Sequence, residues 1–223
     1  MTATLSMADF DHSTRSASGF ILKYIAPRLE PFQLYGPLAR RLPFSLTARN
    51  SDVIIVVGHG DSDMVTGQND TVLLKVGEYS DDEVKDKVIY SFTCQSGDYL
   101  GPDLIDHGAA AFLGWTDDYL WILDEMRTPI PWEDKLAKPC MMPIIAGLNA
   151  LLDGKTVSEV RDIQKQSYND YAAGVDDELI RDLVLFNRDN FVLYGDPEAR
   201  IVPRPQLAWL FQVIPPPPML LPI

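Results

Sequence analysis

The chain has 223 residues and a net charge of −13, from 32 acidic and 19 basic side chains. That length is enough for one well-buried α/β domain, and an apolar fraction of 46% is ordinary for a globular protein. An excess of acidic groups repels nucleic acid and anionic membrane surfaces, and it mildly attracts cationic substrates. We therefore expect a globular protein that binds neither nucleic acid nor membrane.

The cysteine content and the N-terminus bear on the compartment. Only two cysteines occur, Cys94 and Cys140, which is too few for a disulfide-stapled secreted fold. Residues 1–11 lack the basic start and the long apolar stretch of a signal peptide. No uncharged apolar run reaches the ~20 residues needed to span a bilayer. These features predict a cytoplasmic protein with reduced thiols, although a processed secreted domain would look the same.

Segments typical of strands alternate with segments typical of helices along the chain. Buried strands are predicted at 3–8, 52–60, 87–97, 109–115 and 190–194. A β-hairpin is predicted where two short apolar segments flank a turn, at 64–66 and 71–76. Helices are predicted at 13–25, 99–107, 141–152, 157–172 and 177–187, with a short one after Ser80.

Proline content sets the remaining boundaries. Pro37 and Pro43 interrupt residues 32–46, so the secondary structure of that stretch is ambiguous. Residues 117–135 are aromatic, acidic and punctuated by proline, and they are predicted to form a long loop of a kind that is often functional. Prolines dominate from 203 onward, so 203–223 is predicted to be an extended Pro-rich tail that follows a single domain of residues 1–202.

Strands that alternate with helices predict a mostly parallel central sheet with helices on both faces. Two of the strands end in a reactive side chain near glycine. His59 lies between Gly58 and Gly60, and Cys94 precedes Gly97. If these strands are parallel neighbours, the imidazole and the thiol meet beyond their carboxyl ends, where parallel α/β sheets bind ligands.

A thiol beside an imidazole indicates nucleophilic catalysis. The thiolate is the nucleophile, and the imidazole either takes its proton or stands as imidazolium and lowers the pKa of the thiol. Gly60 and Gly97 would let a substrate backbone approach closely and would expose main-chain N–H groups to an oxyanion. The residues therefore predict cysteine–histidine acyl transfer.

The order of these motifs resembles the caspase-like (clan CD) cysteine peptidases, and most nearly the gingipain-type family. Those proteins have a His-Gly strand end, as at 59–60, and then a Cys-x-x-Gly-Asp strand end, as at 94–98. After a helix comes a buried strand like 110–114, and a Gly-Asp-Pro like 195–197 follows a short apolar strand near the domain end. The resemblance covers about residues 3–202 and implies a three-layer caspase-like (caspase–hemoglobinase) fold, with a small β-hairpin after the His strand.

The resemblance also implies roles for individual residues. Cys94 would be the nucleophile and His59 the general base or acid, and the backbone N–H groups of Gly60 and Cys94 would be the oxyanion donors. In the gingipain type, an acidic residue after the first strand lies at the bottom of the S1 pocket. Asp11 has that position, with Asp9 as the alternative. This implies cleavage after Arg or Lys at P1, since a carboxylate–guanidinium pair in a dry pocket is strong and selective.

Several of these assignments have alternatives. Trp115, after the strand that follows the Cys94 helix, is a candidate wall of the S1 pocket, but it and Trp121 are also suited to packing. Asp11 can equally be the N-cap of the first helix, which is compatible with a role in S1. None of the acids has EF-hand spacing, so Ca²⁺ binding is unsupported and no metal or cofactor is expected. The rival acids in S1 or at its rim are Asp61, Asp63, Asp117 and Asp118.

The sequence thus predicts a cysteine endopeptidase with a Cys-His dyad that cleaves a peptide or protein substrate. The caspase signature is absent, since Phe92 and Thr93 precede Cys94, so cleavage after aspartate is not expected. The alternative is a caspase-like pseudoenzyme or protein-interaction module that docks through its Pro-rich tail. A flavodoxin-like nucleotide binder ranks last, because no strand is followed by a Gly-x-Gly-x-x-Gly or Walker-type loop. The sequence gives no oligomeric state.

Overall fold

The computed structural model of the chain describes residues 2–29 and 31–201. Its strands are β1 (Ala3–Met7), β2 (Pro31–Tyr35), β3 (Val53–Val57), β4 (Gly60–Asp61), β5 (Met64–Thr66), β6 (Val72–Lys75), β7 (Val88–Phe92), β8 (Ala111–Trp115) and β9 (Phe191–Gly195). Its α-helices are α1 (His12–Tyr24), α2 (Arg41–Ala48), α3 (Asp81–Val84), α4 (Leu100–Asp106), α5 (Lys138–Leu152), α6 (Val157–Gly174) and α7 (Glu178–Asp189). Helices and strands alternate as predicted.

The central sheet has six strands in the order β2-β1-β3-β7-β8-β9. All neighbours are parallel except β9, which runs antiparallel to β8. Met7 lies opposite Val57, and Val57 lies opposite Phe92. The carboxyl ends of β1, β3 and β7 are therefore level at one edge of the sheet, which we call the rim.

Helices cover both faces of this sheet. On one face α1, α5, α6 and α7 bury a cluster that includes Phe20, Ile144 and Tyr168. On the other face α2, α3 and α4 bury a second cluster that includes Phe44 and Leu104. Every residue of β3 and β7 is buried, as expected of continuous apolar strands covered on both sides. The predicted mostly parallel α/β sheet with helices on both faces is confirmed.

A small antiparallel sheet follows β3 directly. β4, β5 and β6 pair in that order, and β5 with β6 is the hairpin predicted after the His strand. The Thr66 N–H donates to His59 O at 2.9 Å, so this sheet is attached to the chain where it leaves β3. The hairpin therefore fixes the direction of the backbone on the far side of His59.

The ambiguous stretch at 32–46 contains regular structure that its prolines obscured. Pro31, directly before this stretch, is the first residue of β2, an edge strand, where a missing N–H is tolerated. Pro43 is the third residue of α2, in the first turn, where N–H groups have no partner within the helix. The predicted long loop at 117–135 contains two short 3₁₀ turns, Glu125–Arg127 and Pro131–Glu133.

The predicted Pro-rich tail, 203–223, lies outside the described residues. In the part of the chain that the structure describes, no helix is long and apolar enough to cross a membrane.

Glu83 in α3 is a buried carboxylate that ties α2 to the segment before β7. Its side chain is 1% exposed and forms an ion pair with Arg41, whose Nη2 donates to Oε1 at 2.7 Å. The same carboxylate accepts the Ser80 N–H at 3.3 Å, which confirms the predicted helix start. The hydrogen bond that Arg41 donates to Glu83 raises the pKa of Arg41 in spite of partial burial. A buried carboxylate needs such a partner.

Replacing Arg41 with methionine should destabilise the fold markedly, because it leaves the Glu83 charge buried without its main partner. We expect a loss of about 3 kcal/mol in the free energy of unfolding, at the low end for broken buried pairs because Arg41 is partly exposed. Urea unfolding followed by circular dichroism measures it. The control is Lys155→Met, which removes an exposed ion pair with Glu159, and an equal loss in both variants would contradict the role of Glu83.

Candidate active site

His59 and Cys94 leave neighbouring parallel strands at matching positions. β3 and β7 pair with Val57 opposite Phe92, and each reactive residue comes two positions later. Neighbouring strands are about 4.8 Å apart, so the two residues emerge side by side at the rim. Both side chains line one cavity. The structure therefore brings together the two residues on which the predicted chemistry depends.

Gly60 lies directly against the turn that carries Cys94. A Cβ atom at residue 60 would be 2.5 Å from Cys94 O and 2.9 Å from Thr93 Cβ, so a larger residue would push the two segments apart. Where β4 meets β5, His59 O accepts the Thr66 N–H, so Gly60 and Val65 face each other as a pair without mutual hydrogen bonds. In this antiparallel pattern the Gly60 N–H points away from β5. The Cys94 N–H has no acceptor within residues 2–29 and 31–201.

Asp11 is hydrogen-bonded to His59 and also caps α1. Its Oδ2 is 2.6 Å from His59 Nε2, and its Oδ1 accepts the Thr14 N–H at 2.7 Å. Burial would raise the pKa of Asp11, but the hydrogen bonds from Thr14 and His59 outweigh it and hold the pKa below its ordinary value. Asp11 is therefore ionised and accepts a hydrogen bond from the N–H at Nε2 of His59. The Nδ1 atom of His59 is left with the lone pair that can accept another proton.

The N-cap role predicted for Asp11 is thus confirmed. The hydrogen bond to His59 has no signal in the sequence, because 48 positions separate the two residues. The Phe10 ring packs edge-on against the imidazole, with ring centroids 5.6 Å apart. The imidazole is therefore held from two sides, by a ring and by a carboxylate.

The loop after β8 wraps around the Cys94 turn. The Tyr119 N–H donates to Cys94 Sγ at 3.4 Å. Gln95 donates through its N–H to Asp117 O at 3.0 Å and through Nε2 to Asp118 Oδ1 at 2.9 Å. Gln95 has a φ of +53°, a left-handed conformation that is uncommon outside glycine. These bonds compensate for that conformation and fix the direction of the thiol.

A buried network of hydroxyl groups supports the same turn from within the sheet. Ser91 and Thr93 are joined through their hydroxyl oxygens at 2.8 Å, and the Ser96 hydroxyl donates to Ser91 at 3.0 Å. The Gly97 N–H donates to Trp115 O at 2.7 Å. The backbone around Cys94 is therefore bonded on both sides of the reactive residue.

The surroundings of Cys94 favour its neutral form. Burial raises the pKa of the thiol, and the carboxylates of Asp118 and Asp117 raise it further, whereas the Tyr119 N–H lowers it without compensating. Both cysteines are free thiols, and burial raises the pKa of Cys140 to about 12. Cys94 therefore stays protonated until a base takes its proton or a cation offsets the two carboxylates.

A small cavity of about 30 Å³ joins the two reactive side chains. It is enclosed by α1, the ends of β3 and β7, and the loop after β8, through Ser13, Thr14, Ala17, Gly58, His59, Phe92, Thr93, Cys94, Tyr119 and Trp121. A space of that size holds water but not a long side chain. A long substrate side chain must therefore lie at the mouth of the cavity or displace one of its walls.

Trp115 does not line this cavity. It is fully buried, and its indole N–H donates to Asn187 O at 2.8 Å. Residues two apart in a strand share a face, and Trp115 points into the same core as Leu113. Tyr119 and Trp121, from the loop after β8, form the aromatic walls instead. The Trp121 indole N–H is buried and has no acceptor in the described part of the chain.

The other acids predicted for the site lie outside the cavity lining. Asp9 is bonded through its N–H to Gln68 Oε1 at 2.9 Å, and its carboxylate neighbours Tyr35. Asp61 is exposed on β4. Asp117 and Asp118 are exposed next to the thiol. Within residues 2–29 and 31–201, no three His, Cys, Asp or Glu side chains form a group that could hold a metal ion.

Replacing Asp118 with asparagine should lower the pKa of the Cys94 thiol, because it removes a carboxylate that disfavours the thiolate. The pH profile of Cys94 alkylation by iodoacetamide should shift to lower pH, so that at a pH below the wild-type midpoint the variant reacts faster. Peptide mapping by mass spectrometry separates Cys94 from Cys140. Asp176→Asn, an exposed loop change of the same charge, is the control, and an unshifted Asp118→Asn profile would contradict the electrostatic role.

Searches with the sequence found no match among protein-family models or curated proteins. The chemistry of the site therefore follows from its own groups. These are a neutral thiol, an imidazole hydrogen-bonded to an ionised carboxylate, and main-chain N–H groups beside both, at one rim of a mostly parallel sheet.

Proposed function

We propose that this protein is a cysteine endopeptidase with a caspase-like fold of the gingipain type, in which Cys94 is the nucleophile and His59 the general base. One observation carries the proposal: the thiol shares a cavity with an imidazole whose other nitrogen is bonded to an ionised Asp11. The three-layer arrangement and the hairpin after the His strand are compatible with such a fold.

In the first half of the reaction, His59 Nδ1 takes the proton of the Cys94 thiol, and the sulfur attacks the carbonyl carbon of the scissile bond. The carbonyl oxygen becomes an oxyanion, for which the N–H groups of Gly60 and Cys94 are the proposed donors. The imidazolium donates its proton to the leaving amine, and an acyl-enzyme remains. Asp11 stabilises the imidazolium throughout, since an ionised carboxylate favours the charged ring.

In the second half, water attacks the thioester. His59 takes a proton from the water, and the carboxylic acid product leaves as the proton returns to the sulfur of Cys94. No metal or cofactor takes part in either half of this proposal. A reducing cytoplasmic compartment suits it, because both cysteines are free and the reaction needs Cys94 reduced.

A basic side chain at P1, Arg or Lys, is the proposed specificity. The net charge of −13 and the acids at the site favour cationic substrates. Both Asp11 carboxylate oxygens already accept hydrogen bonds, whereas Asp118 is exposed at the mouth beside the thiol. A guanidinium against Asp118 would also offset a charge that raises the pKa of Cys94. Binding of the substrate would then favour formation of the nucleophile.

The second candidate is a caspase-like pseudoenzyme or protein-interaction module. The raised pKa of Cys94 and the 30 Å³ cavity favour it, because both describe a thiol that is not activated in the absence of substrate. The first candidate cleaves peptides and needs both the thiol and the imidazole, whereas the second cleaves none. Variants of each residue test this difference directly.

Cys94→Ala and His59→Ala should each reduce kcat/KM on a fluorogenic peptide with Arg at P1 by roughly 10³-fold or more, since the dyad acts as a unit. His107→Ala is the control: this exposed histidine pairs with Asp81 on α3, away from the cavity, and its loss should leave the rate unchanged. If either dyad variant cleaves at the wild-type rate, the proposed mechanism is wrong.

Asp11→Asn and Asp118→Asn should have different effects on selectivity between peptides with Arg and with neutral citrulline at P1. Asparagine still caps α1, so Asp11→Asn should lower kcat/KM for both peptides, by about tenfold or more, through loss of imidazolium stabilisation. Asp118→Asn should lower it for the Arg peptide alone. If Asp11→Asn instead removes only the preference for Arg, Asp11 is the S1 acid.

A further inference from the structure

A second concave surface lies on α1, on the side that faces away from the cavity of the thiol. It has a volume of about 500 Å³ and runs between α1, the end of β2 and the segment 128–132. Ser13, Thr14 and Ala17 of α1 face the cavity, whereas Arg15, Gly19, Leu22 and Lys23 line the second surface. At 3.6 residues per turn these two sets lie on opposite sides of the helix. We call this second surface the α1 groove.

We propose that the α1 groove binds an acidic segment of the peptide substrate. That the acidic segment belongs to a substrate rests on the proposed function. That the groove recognises acidic residues rests on the groove alone. The groove offers two cations, a neutral hydroxyl and an aromatic wall in a protein whose net charge is −13.

The two cations lack carboxylate partners among residues 2–29 and 31–201. Arg15 donates through Nε to the backbone oxygen of Asp9 at 3.2 Å, which leaves its terminal nitrogens to the groove. The Lys23 ammonium lies 5.4 Å from the centre of the Trp132 ring. Neither forms an ion pair within the part of the chain that the structure describes. In a protein with 32 acids for 19 basic residues, a pair of cations that no described carboxylate engages is available to an external anion.

Two acids near the groove already have partners of their own. Glu133 pairs with Arg127 at 3.6 Å. Burial, together with a hydrogen bond from the Tyr35 hydroxyl to the carboxylate of Asp9, raises the pKa of Tyr35 to about 12. Tyr35 therefore remains a neutral group. An incoming carboxylate would meet Arg15 and Lys23 without direct competition from these two acids.

The floor of the groove is closely packed. A Cβ atom at Gly19 would be 2.3 Å from Cγ of Pro131, so α1 and the 128–132 segment are in direct contact there. Pro131 itself is buried, and Trp132 stands beside it under the Lys23 ammonium. A guanidinium above such a floor can bind a carboxylate in the bidentate manner, and the ring offers an apolar surface to the stem of a glutamate.

The groove and the cavity lie on the two sides of the same helix, α1. His12, at the start of α1, contacts Thr128 of the groove, with Nδ1 3.5 Å from the hydroxyl oxygen. The rise from Thr14 to Lys23 is about 14 Å at 1.5 Å per residue. An extended peptide covers that distance in about four residues. Passing around a helix about 10 Å across takes about three residues more, so glutamates about six to eight positions from the scissile bond would reach Arg15 and Lys23.

Binding to the full chain with Cys94→Ala tests the groove without turnover. The probes are fluorescein-labelled Arg-containing peptides with a run of glutamates on one side or the other of the Arg, and matched peptides with glutamine. Fluorescence anisotropy should give about tenfold tighter binding for one of the two glutamate peptides than for its glutamine match, as two modest ion pairs provide. Higher salt should weaken that preference.

The double variant Arg15→Gln/Lys23→Gln should remove the preference, whereas Lys85→Gln/Lys155→Gln, with the same change in net charge, should keep it. Equal binding of glutamate and glutamine peptides would overturn the proposal, and so would a preference that survives in the groove variant or disappears in both. In the active protein the same preference should appear in KM. If no peptide is cleaved, the proposed function fails, while the anisotropy result still decides the groove.

Discussion

The level register of β3 and β7 is the constraint on which the whole site depends. Both strands are buried on both faces, so helices on either side hold them in place, and Val57 opposite Phe92 sets where each one ends. A slip of one residue would turn the side chains beyond the strand to the other face of the sheet. The contact of Gly60 with Cys94 O leaves no room for a larger residue between the two strand ends. The imidazole and the thiol are thus neighbours because of backbone packing, before any contact of their own.

Carboxylates on the two sides of the cleft act on different groups. Asp11 is hydrogen-bonded to the imidazole and orients it, whereas Asp118 and Asp117 add to the burial that raises the pKa of the Cys94 thiol. In the proposed mechanism the resting site is a neutral thiol beside an oriented base, and the ion pair that attacks the carbonyl forms only when the balance of charge changes. The cationic substrate that we propose would change that balance in the required direction. Under that proposal the acidic character of the chain helps the site to distinguish substrates, and the α1 groove is a local exception to this acidic character.

Much of the fold could be predicted from the sequence, because its signals are local. Continuous β-branched runs predicted β3 and β7, and an acidic residue before the first helix predicted the cap made by Asp11. The prolines of 32–46 misled because their effect depends on position: Pro37 and Pro43 lie in the first turns of short helices, where an N–H has no partner within the helix. Periodicity and caps predict elements, but they do not show which proline positions are harmless.

The details of the site were harder to predict, because they depend on contacts between distant parts of the chain. The bond between Asp11 and His59 joins residues 48 positions apart. Side chains alternate between the two faces of β8, and this alternation directs Trp115 into the core. Trp121 reaches the cavity from an irregular loop, where no periodic pattern predicts the direction of a side chain. The effect of Asp118 on the thiol likewise requires the loop after β8 to fold back over the Cys94 turn. The sequence indicated the reactive pair, and the groups that tune it are visible only in three dimensions.

The joint action of Cys94 and His59 is tested most directly by covalent labelling with an Arg-containing peptidyl chloromethyl ketone, followed by peptide mapping. A working dyad predicts a single adduct on Cys94, none on the buried Cys140, and a strongly reduced labelling rate in the His59→Ala variant. Labelling of Cys94 at the same rate with and without the imidazole, or no adduct on Cys94 at all, would contradict it.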